Sequence, residues 1–330
     1  MRDTNLKKLI MTQFKKINNL TGWIIFLIAS FVYLSTMEKT VSLWDCGEFI
    51  SGAYKLEVMH EPGAPLFLLI GRIFSLFATD VSNVAMAINS MSAISSSLTI
   101  LFLFWTITAF GRKIYLNPEK KLEKSKLYAI IGSGIVGSLA YAFSDSFWFS
   151  AVEGEVYAMS SLFTAITFWC ILKWEEVAGS DNSNKWIVLI AYLIGLSIGV
   201  HLLSLLTIPA MGMIYYAKNY EYSHKGAIKA FLISSGILVV VQAILIPKTA
   251  ALMGWFEILF VNDLGMPFNS GMLFCVLLIF GIIIYGLHYT MKNNKAGWNT
   301  AILGVLVLFL GYSSYSTVII RANANPPINM

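Results

Sequence analysis

Long apolar segments alternate with short polar ones along the 330 residues, and this alternation predicts a bundle of transmembrane helices. A span needs about 17 or more residues to cross roughly 30 Å of hydrocarbon at about 1.5 Å per residue. Runs without Asp, Glu, Lys or Arg predict nine spans, at 20–36, 84–109, 127–143, 156–172, 186–200, 202–217, 230–246, 271–289 and 298–316. A tight turn at Gly195 and Gly199 is expected to separate the two short spans in the middle. The pattern therefore predicts an all-α polytopic membrane protein.

The segment 64–78, "APLFLLIGRIFSLFA", is apolar but short, and it contains Arg72. If it crossed the membrane, the loop "GRKIYLNPEKKLEKSK", with its six Lys and Arg residues, would lie outside, against the positive-inside rule. We therefore predict a first outer loop at 37–83, with interfacial helices near 45–56 and 64–78.

With this topology, 18 of the 23 Lys and Arg residues lie inside, so the formal charge of +5 reflects membrane orientation and not nucleic-acid binding. Residues 1–19 are expected in the cytoplasm, and the first apolar run is expected to remain as a signal anchor, because no small-residue cleavage site follows it. The three cysteines form no CxxC pair, so neither a disulfide framework nor a structural metal site is predicted.

Acidic residues show the opposite bias, with eleven of 18 on the predicted outer side and none within a predicted span. Carriers commonly hold ionisable groups at mid-membrane depth, because coupling needs a charge on the transport path. A layer of acids at one surface favours an enzyme that acts at the interface. A lipid or solute transporter, such as a flippase, and a non-catalytic scaffold are the alternatives.

The stretch "SLWDCGEFISGAYKL" holds the first acid pair, Asp45 and Glu48, which share one face of a helix that begins near residue 45. A partly desolvated carboxylate at the membrane edge is a suitable general base for an attacking hydroxyl. The same spacing also fits a capping arrangement, with Asp45 as N-cap and Glu48 at the third helical position.

Two further stretches carry candidate binding residues. "HEPGAPLF" is a proline-rich bend where His60 and Glu61 meet substrate or are simply solvated. "FSAVEGEVYAMSSLF" places Glu153 and Glu155 at the outer start of the 156–172 span, where acids also offset a helix dipole. Tyr157 beside them is a candidate contact or an aromatic-belt residue.

Near the chain's end, "SSYSTVIIRANANPPINM" holds Arg321 with Asn323 and Asn325. A guanidinium at the outer interface can clamp a phosphate in a bidentate manner, or it can snorkel to lipid headgroups. His201, in "GLSIGVHLLSLL", is a candidate substrate contact or a packed side chain.

Five stretches in this order, "WDCGEFI", "HEPGAPLF", "VEGEVYA", "GLSIGVHLL" and "YSTVIIRANANPPIN", resemble the protein O-mannosyltransferase-like glycosyltransferase family 117 of the GT-C superfamily. That family is abundant in Bacteroidota and has an animal branch. The resemblance implies a GT-C-like bundle that moves a sugar, by default mannose, from a polyprenyl-phosphate donor to Ser or Thr hydroxyls of an acceptor protein. It implies no cofactor and leaves a divalent metal open.

The resemblance also implies residue roles and a location. Asp45 corresponds to the catalytic acid/base, with Glu48 the next candidate, and Glu153 and Glu155 match the second outer-loop acid of the superfamily. The active site is expected on the periplasmic face of a bacterial inner membrane. Relatives often read H-P-P-G where this chain has Glu61, and they commonly continue into further spans or a soluble region, so this chain is expected to be a truncated catalytic core.

Overall fold

The computed structural model describes residues 2–115, 124–180 and 183–330, with side chains from residue 12 onward. Within these ranges every regular element is helical, apart from a single parallel β-bridge between Val58 and Asn329. The chain divides into two compact units, one made of 1–172, 197–204 and 314–330 and the other of 173–196 and 205–313. Every candidate site residue belongs to the first unit.

The α-helices in chain order are α1 (Arg2–Thr36), α2 (Cys46–Lys55), α3 (Pro65–Ser75), α4 (Val84–Tyr115), α5 (Lys124–Ala142), α6 (Asp145–Ala151), α7 (Val156–Val177), α8 (Ser183–Ile198), α9 (Thr207–Asn219), α10 (His224–Val239), α11 (Ile246–Ile258), α12 (Ser270–Lys292), α13 (Ala296–Tyr312) and α14 (Ser316–Asn323). Short 3-10 turns lie at Val81–Asn83, Leu202–Leu206 and Ser313–Tyr315, and π-helical turns at Val240–Leu245 and Leu259–Asp263.

Six helical segments of the described chain are long and apolar enough to cross a membrane, which confirms a multi-pass helical protein. They are Thr12–Thr36, Val81–Tyr115, Val156–Val177, His224–Asp263, Ser270–Lys292 and Ala296–Asn323. The bent pair α5 and α6, which meet at 69°, gives a seventh if it counts as one span. The nine predicted spans are thus not confirmed as a set.

The break predicted between the segments 186–200 and 202–217 is present, but neither helix is among the six segments long and apolar enough to cross a membrane. α8 has 16 residues and α9 has 13, and the 3-10 turn Leu202–Leu206 separates them. Gly199 lies in the turn after α8, as expected, but Gly195 lies inside the helix, where a Cβ would come 2.3 Å from the backbone oxygen of Leu308 in α13. The glycine therefore permits close helix packing within the second unit.

The span predicted at 230–246 continues as helix to Asp263. Pro247 lies within this continuous segment, although proline cannot donate to the helical ladder and its ring crowds the preceding turn. In the structure the π-helical turn Val240–Leu245 directly precedes it, and this wider turn accommodates the proline.

Two apolar clusters hold the first unit together around α4. One packs the N-terminal part of α4 against α2, α3 and the start of α7, through Phe49, Phe67, Ile88 and Met159. Burying a side chain of this size fully stabilises the fold by about 1.5–3 kcal/mol. Helices do form at 46–55 and 65–75, and the cluster fixes both against α4.

Candidate functional site

Asp45 stands at the N-terminus of α2, where its side chain is exposed. Cys46, Phe49, Ile50 and Ala53 of this short helix are buried, whereas Asp45, which precedes the first turn, remains at the surface. Asp45 occupies the N-cap position, but its carboxylate makes no capping hydrogen bond. The capping-box interpretation is therefore wrong for its side chain, and the carboxylate is open to a ligand.

Glu48 turns away from the helix terminus toward His60. Its Oε1 accepts from the His60 backbone N–H at 2.9 Å, and its Oε2 lies 2.8 Å from the ring Nδ1. The hydrogen bond to Glu48 raises the pKa of His60 above its ordinary value, and the charges of Glu48, Asp45 and Glu155 add to the shift. The pair therefore favours the protonated form of the His60 ring at a partly exposed position.

Asp45, Glu48 and His60, here called the Asp45 cluster, have ligand atoms that all lie within 4.8 Å of one another. Elsewhere in the described ranges no other group of three His, Cys, Asp or Glu side chains comes this close. Two carboxylates and one imidazole form a donor set that suits a divalent cation. The same geometry suits a proton acceptor beside a hydrogen-bonded acid–imidazole pair.

The second acid pair is buried in the turn before α7, with Glu153 4% exposed and Glu155 5% exposed. Glu153 accepts a 2.7 Å hydrogen bond from the Ser42 hydroxyl. Glu155 lies 4.0 Å from the Cys46 thiol, and its Oε2 accepts from the Val156 N–H. Burial, with the charges of Asp45 and Glu153 as smaller contributions, raises the pKa of Glu155 to about 7. Glu155 can therefore hold or release a proton near neutral pH.

We expect Glu155→Gln to remove a pH dependence of stability. The folded pKa of about 7 exceeds the ordinary value of 4.5, so the stabilising effect of the protonated acid is lost as pH rises from 4.5 through 7. The free-energy difference is about 2 kcal/mol, after discounting for solvent screening. Melting curves in detergent should show that the wild type loses more stability between pH 5 and pH 8 than the variant does. An equal change in the melting temperature of the two proteins would contradict this prediction.

Gly154, between the two buried acids, is fixed by tight packing. A Cβ there would lie 2.8 Å from the Asn89 Oδ1 and 3.0 Å from the side chain of Ile50. Asn89 is fully buried, and its amide donates to the backbone oxygens of Glu38 and Thr40, so it cannot move aside freely. The close approach seats the acid-bearing turn on α2 and α4.

We expect Gly154→Ala to destabilise the protein by about 1–3 kcal/mol, the usual cost of overpacking a well-packed site. Gly132→Ala is the matched control, because nothing lies within 4 Å of a Cβ at that helical position. It should leave stability unchanged or raise it by up to about 1 kcal/mol. Thermal melting in detergent measures both, and an equal response at the two positions would contradict the packing argument.

Tyr157 and His201 lie together, with ring centroids 5.4 Å apart. Burial lowers the pKa of His201, and its Nδ1 accepts from the Leu203 N–H. In the neutral ring the proton is therefore on Nε2, which can donate to a ligand. The contact brings two of the sequence-predicted binding residues to one place.

The other sequence-predicted residues stand apart or have structural partners. Glu61, Asn323 and Asn325 are exposed. Arg321 donates from Nε and Nη2 to backbone oxygens of Leu56 and Lys55. Nothing tests the predicted phosphate and substrate contacts of these residues, so they stay predictions.

Three residues near the acids escaped the sequence analysis: Ser42, Cys46 and Asn89. Cys46 is buried against the Glu155 carboxyl, and burial raises its pKa to about 12, which makes it an inert thiol. Of the three, only Asn89 could have been identified from the sequence, because an amide within an otherwise apolar span must find hydrogen-bond partners. Nothing in the sequence around Ser42 distinguishes it from other loop serines.

Comparison with known proteins gives one family. Residues 45–224 match the family model described as protein O-mannosyl-transferase TMEM260 N-terminal domain. The chain is 26% identical over 162 residues to the protein O-mannosyl-transferase tmem260 of Dictyostelium discoideum, a match that covers 49% of this chain and 18% of that protein. It is 25% identical over 175 residues to the TMEM260 protein of Mus musculus, which covers 53% and 22%. The match thus spans about a fifth of these relatives. No solved structure matched.

Proposed function

Since the chain belongs to the family of protein O-mannosyl-transferase TMEM260 N-terminal domains, we propose that it carries the catalytic residues of a membrane glycosyltransferase. The donor is a polyprenyl-phosphate sugar, by default mannose, and the acceptor is a Ser or Thr hydroxyl of a protein. The observation that carries this proposal is the Asp45 cluster, an exposed carboxylate beside a hydrogen-bonded acid–imidazole pair, at the first position of the matched region.

Asp45 is the general base. Its exposed carboxylate accepts the proton of the acceptor hydroxyl while the hydroxyl oxygen attacks the anomeric carbon of the sugar. The bond between that carbon and the phosphate oxygen breaks, its electron pair leaves with the polyprenyl phosphate, and the configuration inverts. Glu48 is less suited to this step, because both of its oxygens are engaged by His60.

His60 supports the departure of the phosphate. A negatively charged leaving group is stabilised by positive charge and hydrogen-bond donors that are already in position. The raised pKa of His60 favours the imidazolium, and its side chain is 42% exposed and so open to a ligand. The neutral Nε2–H of His201 and the exposed Tyr157 are further donors for the sugar or the phosphate.

The orientation of the first loop in the membrane is inferred from the distribution of Lys and Arg residues. The loop 37–83 with its two helices faces the extracytoplasmic side, as an interfacial segment of a GT-C-like domain at 20–330, with residues 1–19 in the cytoplasm. The supporting argument is the positive-inside rule applied to the basic loops. A lipid-linked donor in the outer leaflet of a bacterial inner membrane then presents its reactive carbon at headgroup depth, beside Asp45.

The proposed reaction needs no metal ion. The Asp45 cluster could hold a divalent cation, but Glu48 raises the pKa of His60, and a protonated ring cannot bind a metal through its nitrogen. We therefore expect transfer to persist in the presence of a chelator.

The test is a reconstituted transfer assay with the purified chain, or with the full-length protein where the chain is part of one. A radiolabelled mannosyl-phosphoryl polyprenol should label an acceptor protein through an alkali-labile Ser or Thr linkage, with and without EDTA, while GDP-mannose should not. Donor movement across vesicles without any labelled protein would favour a flippase. Loss of transfer in EDTA, restored by Mn²⁺, would make the Asp45 cluster a cation site.

A further inference from the structure

The segment Tyr315–Met330, here called the C-terminal brace, pairs with the loop that carries His60. The Val58 N–H donates to the Ile328 oxygen at 3.0 Å, and the Met330 N–H donates to the Val58 oxygen at 3.3 Å. These bonds form the parallel bridge between Val58 and Asn329. Only Met59 separates Val58 from His60, so the bridge fixes the backbone on one side of the Asp45 cluster.

Arg321 holds the start of the same loop. Leu56, which follows the last residue of α2, is in the left-handed conformation with φ of 53°, and the last carbonyls of a helix lack partners within it. The guanidinium supplies them, since Nε donates to the Leu56 oxygen at 2.5 Å and Nη2 donates to the Lys55 oxygen at 3.3 Å. One edge of the guanidinium fork is thus committed to the backbone of the loop.

The brace also reaches the far side of His60. The Tyr315 hydroxyl donates to the Pro62 oxygen at 3.0 Å and lies 3.4 Å from the Ile198 oxygen. The loop 56–62 is therefore held at its start by Arg321, in its middle by the bridge at Val58, and at its end by Tyr315. His60 itself contacts Glu48 of α2.

We propose that the C-terminal brace holds His60 against Glu48 and that Arg321 is a positioning residue for the Asp45 cluster, not a ligand of the donor phosphate. The inference rests on the proposed function for its effect on catalysis. Its structural part concerns only the loop 56–62 and stands without any activity.

The first experiment compares Arg321→Ala with Ile320→Ala, a control on the same helix whose side chain is 64% exposed. A small misplacement of reacting groups is costly, so Arg321→Ala should lower kcat by about 10-fold and leave the KM for the donor within about twofold. Ile320→Ala should match the wild type. A rise of about 10-fold in the donor KM at unchanged kcat would overturn the proposal and make Arg321 a phosphate ligand.

The second experiment restores the brace without the guanidinium. Val58→Cys and Asn329→Cys, added to Arg321→Ala, place two thiols at bridged positions where a disulfide can form, while the native cysteines are buried. We expect the oxidised form to regain the lost kcat and to lose it again on reduction. An oxidised, disulfide-linked protein with no recovery would contradict a positioning role.

Hydrogen exchange separates this proposal from the proposed function. In Arg321→Ala, and in the milder Tyr315→Phe, the amides of residues 57–60 should exchange faster by about 10-fold than in the wild type. This outcome is expected even if the wild-type chain transfers no sugar. Unchanged exchange in both variants would overturn the brace, whatever the transfer assay shows.

Discussion

Asp45→Asn is expected to lower sugar transfer by about 10²–10⁴-fold, the usual contribution of a positioned general base. Asparagine keeps the size of the side chain but cannot accept a proton from the acceptor hydroxyl. The change should not impair folding, because Asp45 is exposed and its carboxylate makes no capping hydrogen bond. Initial rates with the labelled lipid-linked donor measure the effect, together with a melting curve for each protein.

Asp145→Asn is the matched control for that experiment. Asp145 is also an exposed aspartate at the start of a helix, in the first turn of α6, and it takes no part in the Asp45 cluster. It should transfer sugar at the wild-type rate. If Asp45→Asn kept more than a tenth of wild-type transfer, Asp45 would not be the base, and the mechanism would need another proton acceptor.

Glu48→Gln is expected to lower transfer by about 100-fold, as reacting groups lose their alignment. Two donors converge on Glu48, the His60 N–H and the ring nitrogen, and each has its own carboxylate oxygen. Glutamine offers one acceptor oxygen, and its amide group then faces the other donor. His60 would turn away or lose its charge, and the Asp45 cluster would lose its arrangement.

The same variant should also change the pH profile. Glu48 raises the pKa of His60, so the charged imidazole persists to higher pH in the wild type and is lost as pH rises through that raised value. In Glu48→Gln the alkaline fall in transfer should therefore begin at lower pH. Glu176→Gln is the control, since Glu176 pairs with Lys173 at 3.1 Å on the surface. An unchanged alkaline limb would mean that His60 does not act through its charge.

The apolar pattern of the sequence was sufficient to predict the protein's class and several of its helices. Hydrophobic length alone decides whether a helix can cross a bilayer, and that length is local information. The helices at Cys46–Lys55 and Pro65–Ser75 could be predicted because proline, glycine and acidic residues mark their ends. The pattern predicted a break between the two middle segments but not its extent over Leu202–Leu206, and it could not predict the continuation to Asp263, where a π-helical turn overrides the local signals.

The candidate acidic residues could also be identified from the sequence, because charged residues are rare in this chain. The sequence could not distinguish their roles. Asp45 and Glu155 are chemically similar in the sequence, yet one is exposed and the other is buried with its pKa raised to about 7. Burial depends on what the rest of the chain places around a group, and no local window contains that information.

Sequence by itself thus determined the helical membrane architecture, the family and the short list of ionisable residues. Only the tertiary structure decided that Glu48 binds His60, that Glu155 lies beside Cys46, and that Arg321 holds the end of α2 across 265 positions of sequence. The physical reason is the distance in sequence over which each feature is determined. Spans and caps arise from neighbouring residues, whereas hydrogen-bond partners and desolvation arise from groups that are distant in the chain.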